Sequence, residues 1–216
     1  MSVELFYVDE GPRDAPVLML AGSLGSTLEM WRPQVEALGD RFRIVRIDHR
    51  GHGRSPVPPG PYAVADLAGD VLALLDKLGL ERVAWCGLSL GGMVGMHLGS
   101  HAPQRLSSLT LCCTSAYFPD KTPWADRIAA VTEKGTAAIA AAVVDRWFTP
   151  AWAAEHPEWV AECRAMVAGT DDAGYAASAA AVRDWDHRDR LAAITVPTLV
   201  IAGADDLATP VEPHAR

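Results

Sequence analysis

Apolar residues fall along this chain in short blocks that alternate between two periods. Residues 3–8, 16–20, Arg43–Ile47, 82–86 and 107–113 are brief apolar runs bounded by Gly, Pro, Asp or Ser, the pattern of strands. Between them the spacing turns helical. Met30, Trp31, Val35 and Leu38 share one segment, and Leu67, Val71, Leu74, Leu75 and Leu78 form an i, i+4, i+7, i+8, i+11 stripe in another. Residues 90–102 continue the last-but-one strand as a third helix. Strands and helices in this rhythm predict a mostly parallel sheet covered on both faces. The rhythm breaks over 117–190, an alanine-rich, helical region carrying Trp124, Trp147, Trp152, Trp159, Tyr175 and Trp185. It resumes at 196–203, which reads as a buried strand. The expected organisation is an α/β core in two parts, 1–116 and 191–216, with a helical cap at 117–190.

One turn in this pattern carries chemistry. Gly87-Leu88-Ser89-Leu90-Gly91 follows a strand and opens a helix, which is the context of the G-x-S-x-G nucleophile elbow. Ser89 is the candidate nucleophile. Gly87 and Gly91 are expected because a Cβ at either place would collide with backbone in so tight a turn. The N-terminus of the following helix favours negative charge beside the serine.

Composition narrows the alternatives. Of 216 residues, 50% are hydrophobic and 21% charged, as in a water-soluble globular domain. The net charge of −8, with no basic cluster to offset it, argues against nucleic-acid and anionic-membrane partners. No apolar run is long enough to span a bilayer, and the N-terminus lacks the basic start and apolar core of a signal peptide, so a cytoplasmic location is expected. Cys86, Cys112, Cys113 and Cys163 lack metal-ligand spacing and read as buried free thiols.

A serine nucleophile needs a base, a carboxylate to orient it and donors for an oxyanion. In the elbow arrangement the acid follows the serine in the chain, and the base follows the acid. Asp206, in Gly203-Ala204-Asp205-Asp206-Leu207-Ala208-Thr209-Pro210, fits as the acid, with Asp205 as the fallback; an N-cap or turn role is the competing reading. The N–H of Leu90 is one expected oxyanion donor. The second comes from the loop Gly22-Ser23-Leu24-Gly25, where Leu24 is expected and Ser23 is its competitor. The base is missing. His214 alone has the right order, but it stands only eight residues after Asp206. His52 could approach the site, though turn-stabilising hydrogen bonds suit it better.

These residues resemble an α/β-hydrolase, and more narrowly the 3-oxoadipate enol-lactonases of the β-ketoadipate route of aromatic degradation. The broad resemblance rests on Asp48-His49-Arg50-Gly51-His52-Gly53-Arg54-Ser55, the elbow, and Gly203 through Pro210. The narrow one rests on the run from Gly22 to Trp31, on Arg146-Trp147-Phe148-Thr149-Pro150, and on Gly174-Tyr175-Ala176-Ala177 with Arg183-Asp184. It implies hydrolysis of a lactone ring ester through a serine acyl-enzyme, without metal or cofactor. Because that substrate carries a carboxylate, Arg127, near Trp124, is the expected cation, with Trp147 as an apolar wall.

The resemblance also implies a final strand, a histidine loop and a last helix after the acid. The expectation is therefore of a truncated or proteolysed chain, inactive alone, or one half of a split protein whose other polypeptide carries the histidine. The rival readings are a carboxylesterase, C–C hydrolase or perhydrolase of the same fold, and a catalytically silent interaction module.

Overall fold

The strand blocks assemble into one six-stranded sheet in this computed structural model, which describes residues 2–211. The strands are β1 Tyr7–Glu10, β2 Val17–Ala21, β3 Arg43–Ile47, β4 Val83–Leu88, β5 Leu106–Cys112 and β6 Thr198–Ile201. Their order is β1-β3-β2-β4-β5-β6. Only β1 runs antiparallel, pairing Tyr7 with Ile47; the other pairings are parallel. From β2 the chain moves outward in one direction to β3 and in the other to β4. The crevice beyond the C-terminal ends of β2 and β4 is thus the switch point at which open parallel sheets place ligands.

Alternation along each strand sorts residues between the two faces. Met19, Ala21, Val45, Ile47, Val83 and Trp85 join the larger core cluster, while Leu20 and Ile44 pack with Trp31, Val35 and Leu38 in a smaller one. The smaller cluster is closed by α1 (Arg32–Leu38), entered through a single tight turn at Leu28–Trp31. The larger is closed by α2 (Val64–Lys77), whose Leu67, Val71, Leu74 and Leu75 are buried, and by α3 (Leu90–His101). In α3, buried positions run all round the helix because it lies between the sheet and α2.

Five helices intervene between β5 and β6: α4 Thr122–Lys134, α5 Thr136–Val144, α6 Pro150–Glu155, α7 Pro157–Ala168 and α8 Asp172–Arg183. They pack α4 on α8 and α5 on α7, and their apolar faces are continuous with the larger core cluster. The two chain crossings into this unit are tied together. Tyr117 pairs with Asp186, His187 donates its N–H to the Ala116 carbonyl at 2.8 Å, and Trp185 Nε1 donates to the Ser115 carbonyl at 2.9 Å.

Two expectations need correction. Residues 3–6 are not strand: Val3 N–H donates to Asp70 Oδ1 and Phe6 N–H to Ser55 Oγ, so side chains take the bonds a ladder would use. Nor is β6 buried. Leu199, Val200 and Ile201 are 56%, 66% and 47% exposed, because β6 pairs only with β5 and no described residue covers its outer edge. Leu207 and Val211, later in the chain, are exposed as well.

Candidate active site

The elbow is built by backbone strain and close approach. Ser89 sits at φ 54°, ψ −109°, outside the regions open to ordinary side-chain-bearing residues. Three hydrogen bonds hold it there. Its N–H donates to the Cys112 carbonyl at 2.9 Å, while its own carbonyl accepts from Met93 N–H at 3.0 Å and Thr114 Oγ1 at 2.8 Å. A Cβ on Gly87 would lie 2.1 Å from the Gly91 carbonyl oxygen, and one on Gly91 would lie 2.2 Å from that of Ala21. Both glycines are therefore steric requirements of the turn.

The loop after β2 is locked against this elbow. Gly91 N–H donates to the Gly22 carbonyl at 3.0 Å, and His49 Nε2 meets the same oxygen at 3.2 Å. In a planar trans peptide C=O and N–H point in opposite directions. The Ser23 N–H, in the same peptide as the Gly22 carbonyl, is thus turned away from the elbow helix. The Ser23 carbonyl accepts from Ser26 N–H at 3.1 Å and Ser26 Oγ at 2.8 Å, which fixes the direction of the Leu24 N–H. Among the described residues, neither the Leu24 nor the Leu90 N–H has a protein acceptor. Leu90 opens α3, where an N–H has no intrahelical partner.

Ser89 opens into a cavity of about 590 Å³ between the sheet's C-terminal edge and the cap. Its polar wall includes Ser23, Cys113, Arg146, Asp205 and Asp206, and its apolar wall includes Trp31, Trp147, Phe148, Trp152 and Trp159. Asp206 Oδ1 accepts from Ala208 N–H at 2.7 Å and Thr209 N–H at 3.0 Å, while Oδ2 accepts from Thr209 Oγ1 at 2.7 Å. Burial pushes this carboxyl upward. The bonds from Thr209 and Ala208, with the Cys113 thiol, outweigh burial and hold it below the usual carboxylate range. The turn role and the cavity position belong to the same side chain.

The residues proposed to meet the substrate separate. Trp147 lines the cavity, but Trp124 and Arg127 do not. The Arg127 guanidinium lies 4.8 Å over the Trp124 ring, and that ring packs edge-on to Phe118. The cation at the cavity wall is Arg146, whose Nη2 also donates to the Leu207 carbonyl at 2.5 Å. It stands beside Trp147 in the sequence string already singled out, in the turn between α5 and α6, and only the fold of the cap shows that it reaches the cavity. The thiols also differ from expectation. Cys163 is buried, but Cys86, Cys112 and Cys113 are half-buried, and Cys113 (φ 43°) borders the cavity.

Among the described residues no histidine lines the cavity. His49 and His52 are fully buried under the loop after β2, and burial drives their pKa values down to about 3 and about 4, so both are neutral near pH 7. His97, His101 and His187 cluster on the far part of α3, with Ser100 Oγ 2.7 Å from His187 Nε2. His214 lies outside the described residues.

Comparison with known proteins gives this geometry a context. The alpha/beta hydrolase fold family matches residues 15–215. A protein named 3-oxoadipate enol-lactonase 2, from Acinetobacter baylyi, is 38% identical over 97% of this chain and 78% of its own. The solved enol-lactonase from Burkholderia xenovorans LB400 superposes with a TM-score of 0.94 at 40% identity, over 96% of this chain and 81% of that one. A malate-bound thermophilic esterase from Thermogutta terrifontis superposes with a TM-score of 0.90 at 32% identity, over 97% and 78% respectively.

Proposed function

The chain belongs to the alpha/beta hydrolase fold family, and from that premise we propose that it hydrolyses 3-oxoadipate enol-lactone to 3-oxoadipate through an acyl-enzyme on Ser89. The observation that carries this reading is the cavity itself. A strained serine, the ionised Asp206 carboxylate and the Arg146 guanidinium share one chamber with a wall of Trp31, Trp147, Phe148, Trp152 and Trp159. The similarity to enol-lactonases over nearly the whole chain supports the choice of substrate.

Ser89 Oγ attacks the lactone carbonyl as its proton passes to a base. The tetrahedral oxyanion accepts from the Leu24 and Leu90 N–H groups, a contact that strengthens as charge develops. Collapse breaks the ring C–O bond, and the departing enolate oxygen takes up a proton and tautomerises to the ketone. Water then cleaves the acyl-enzyme and returns the proton to Ser89. Arg146 receives the free carboxylate of the substrate, with Trp147 and Phe148 against its carbon frame. Asp206 orients the base, which is not among the described residues that line the cavity.

The test is a pair of rates measured with imidazole supplied as the base: spectrophotometric loss of the enol-lactone, and hydrolysis of p-nitrophenyl acetate, each against Ser89→Ala. Serine-dependent loss of the lactone is expected. Serine-dependent turnover of the acetate ester with none of the lactone would make this an esterase instead.

A further inference from the structure

His52 is buried beneath the loop that supplies Leu24 and plays no part in the chemistry above. Its Nε2 lies 2.9 Å from the Gly25 nitrogen, and its Nδ1 lies 3.1 Å from the Arg50 carbonyl oxygen. A carbonyl only accepts, so Nδ1 carries the proton and Nε2 presents a lone pair to the Gly25 N–H. The imidazole is thus fixed as one neutral tautomer. Arg50 itself is clamped by Asp70, through Nε at 2.6 Å and Nη2 at 2.7 Å, with both side chains buried.

We propose that His52 is a positioning residue for the oxyanion site: by accepting the Gly25 N–H it pins the peptide that follows Leu24, so that Leu24, whose N–H direction is set through the Ser23 carbonyl, is anchored on its C-terminal side as well. The inference rests on the reading of Leu24 and Leu90 as oxyanion donors. Three restraints define the loop. His49 and Gly91 hold the Gly22 carbonyl, Ser26 holds the Ser23 carbonyl, and His52 holds the Gly25 N–H. With the first two alone, the Ser23–Leu24 peptide is held from its N-terminal side only, and the loop after it can shift and draw Leu24 away from the site.

The cap presses on the same residue from the other side. Gly25 has φ 80°, and a Cβ there would lie 2.8 Å from Tyr175 Cε2 and 3.3 Å from Val167 Cγ2. Thr170 Oγ1, whose shorter bond goes to the Met166 carbonyl at 2.9 Å, stands 3.4 Å from the Gly25 carbonyl oxygen. Gly25 is therefore gripped between His52 on the core and α7–α8 of the cap, so the alignment of the donor depends on both.

Two substitutions separate the ring's two bonds. His52→Gln keeps an acceptor near the Nε2 position, whereas His52→Asn keeps only the donor toward the Arg50 carbonyl. Labelling of Ser89 by a fluorophosphonate, with imidazole present, is followed by intact mass alongside amide exchange at Gly25 and thermal midpoints. His52→Gln is expected to label within about threefold of the unaltered protein. His52→Asn is expected to be slowed about 100-fold, the loss typical of one misaligned oxyanion donor, and to lose protection at Gly25.

Equal labelling and equal Gly25 protection in the two variants would overturn the proposal. So would ¹⁵N NMR of the unaltered protein showing His52 protonated on Nε2 at pH 7, a measurement that needs no variant to fold. If the unaltered protein does not label at all, the reading of Ser89 as nucleophile fails. The exchange and tautomer results still decide the role of His52.

Discussion

Gly91, two residues after the nucleophile, donates its N–H to the carbonyl of Gly22 at 3.0 Å. This bond joins the first turn of α3 to the loop after β2, so both oxyanion donors are set by one piece of backbone. It forms only because Gly91 lies close against Ala21, where a Cβ would come within 2.2 Å of the Ala21 carbonyl oxygen. Gly91→Ala is expected to destabilise the fold by about 2–4 kcal/mol, because the atom it meets is backbone and cannot rotate aside. Urea unfolding at pH 7 checks this, and a change under 0.5 kcal/mol, the size of an ordinary surface substitution, would show that the turn relaxes freely.

Arg146 and Arg127 make opposite predictions. Arg146→Gln is expected to weaken binding of 3-oxoadipate by roughly 10- to 100-fold, the worth of a hydrogen bond to a charged group. Arg127→Gln should leave binding within about twofold, since Arg127 lies over Trp124 and off the cavity wall. Calorimetry with the product needs no catalytic base and reads both variants directly.

Acid stability follows from the buried histidines. Burial lowers the pKa of His49 to about 3, with the His52 charge adding to it, and burial lowers that of His52 to about 4. Below about pH 6.5 the unfolded chain takes up protons that the folded one refuses, so stability falls with pH. Each histidine contributes a loss of roughly 1 kcal/mol per pH unit until its folded pKa is reached. Asp48, raised by burial, acts with the opposite sign at lower pH. His52→Gln removes one share and should lose about 2 kcal/mol less between pH 6.5 and pH 5 in urea titrations. Equal losses would show that His52 is not held neutral.

The outer edge of β6 is covered by no described residue. Val200 is 66% exposed on an unpaired edge strand, so Val200→Lys should reduce self-association in light scattering with little change in thermal midpoint. A drop of several degrees would mean that Val200 is packed in solution.

What could be read from the sequence was whatever depends on local pattern. β3 matches its apolar run from Arg43 to Ile47, the α2 stripe is buried as spaced, and the elbow glycines are steric necessities that any such turn imposes. What could not be read depends on distant partners. The apolar residues of 196–203 resemble a buried strand because burial is conferred by neighbours, and β6 has one on a single side. Val3 and Leu5 alternate like strand residues, yet Asp70 and Ser55 take the bonds of that segment. Arg146 and Arg127 are equally cationic in sequence, and only the packing of the cap decides which one meets the cavity. His52 looked like a turn residue, and it is one; that the turn it holds belongs to Gly25 emerges only when β2 and β3 lie side by side.

The most direct measurement is the mass of the chain after quenching its reaction with 3-oxoadipate enol-lactone in the presence of imidazole. Opening a lactone on serine releases no leaving group, so acylation adds the full mass of the substrate. The expected result is that addition on the peptide bearing Ser89, absent from Ser89→Ala. An unmodified Ser89 in folded protein, or an adduct on Cys113 in the same cavity, would contradict Ser89 as the nucleophile.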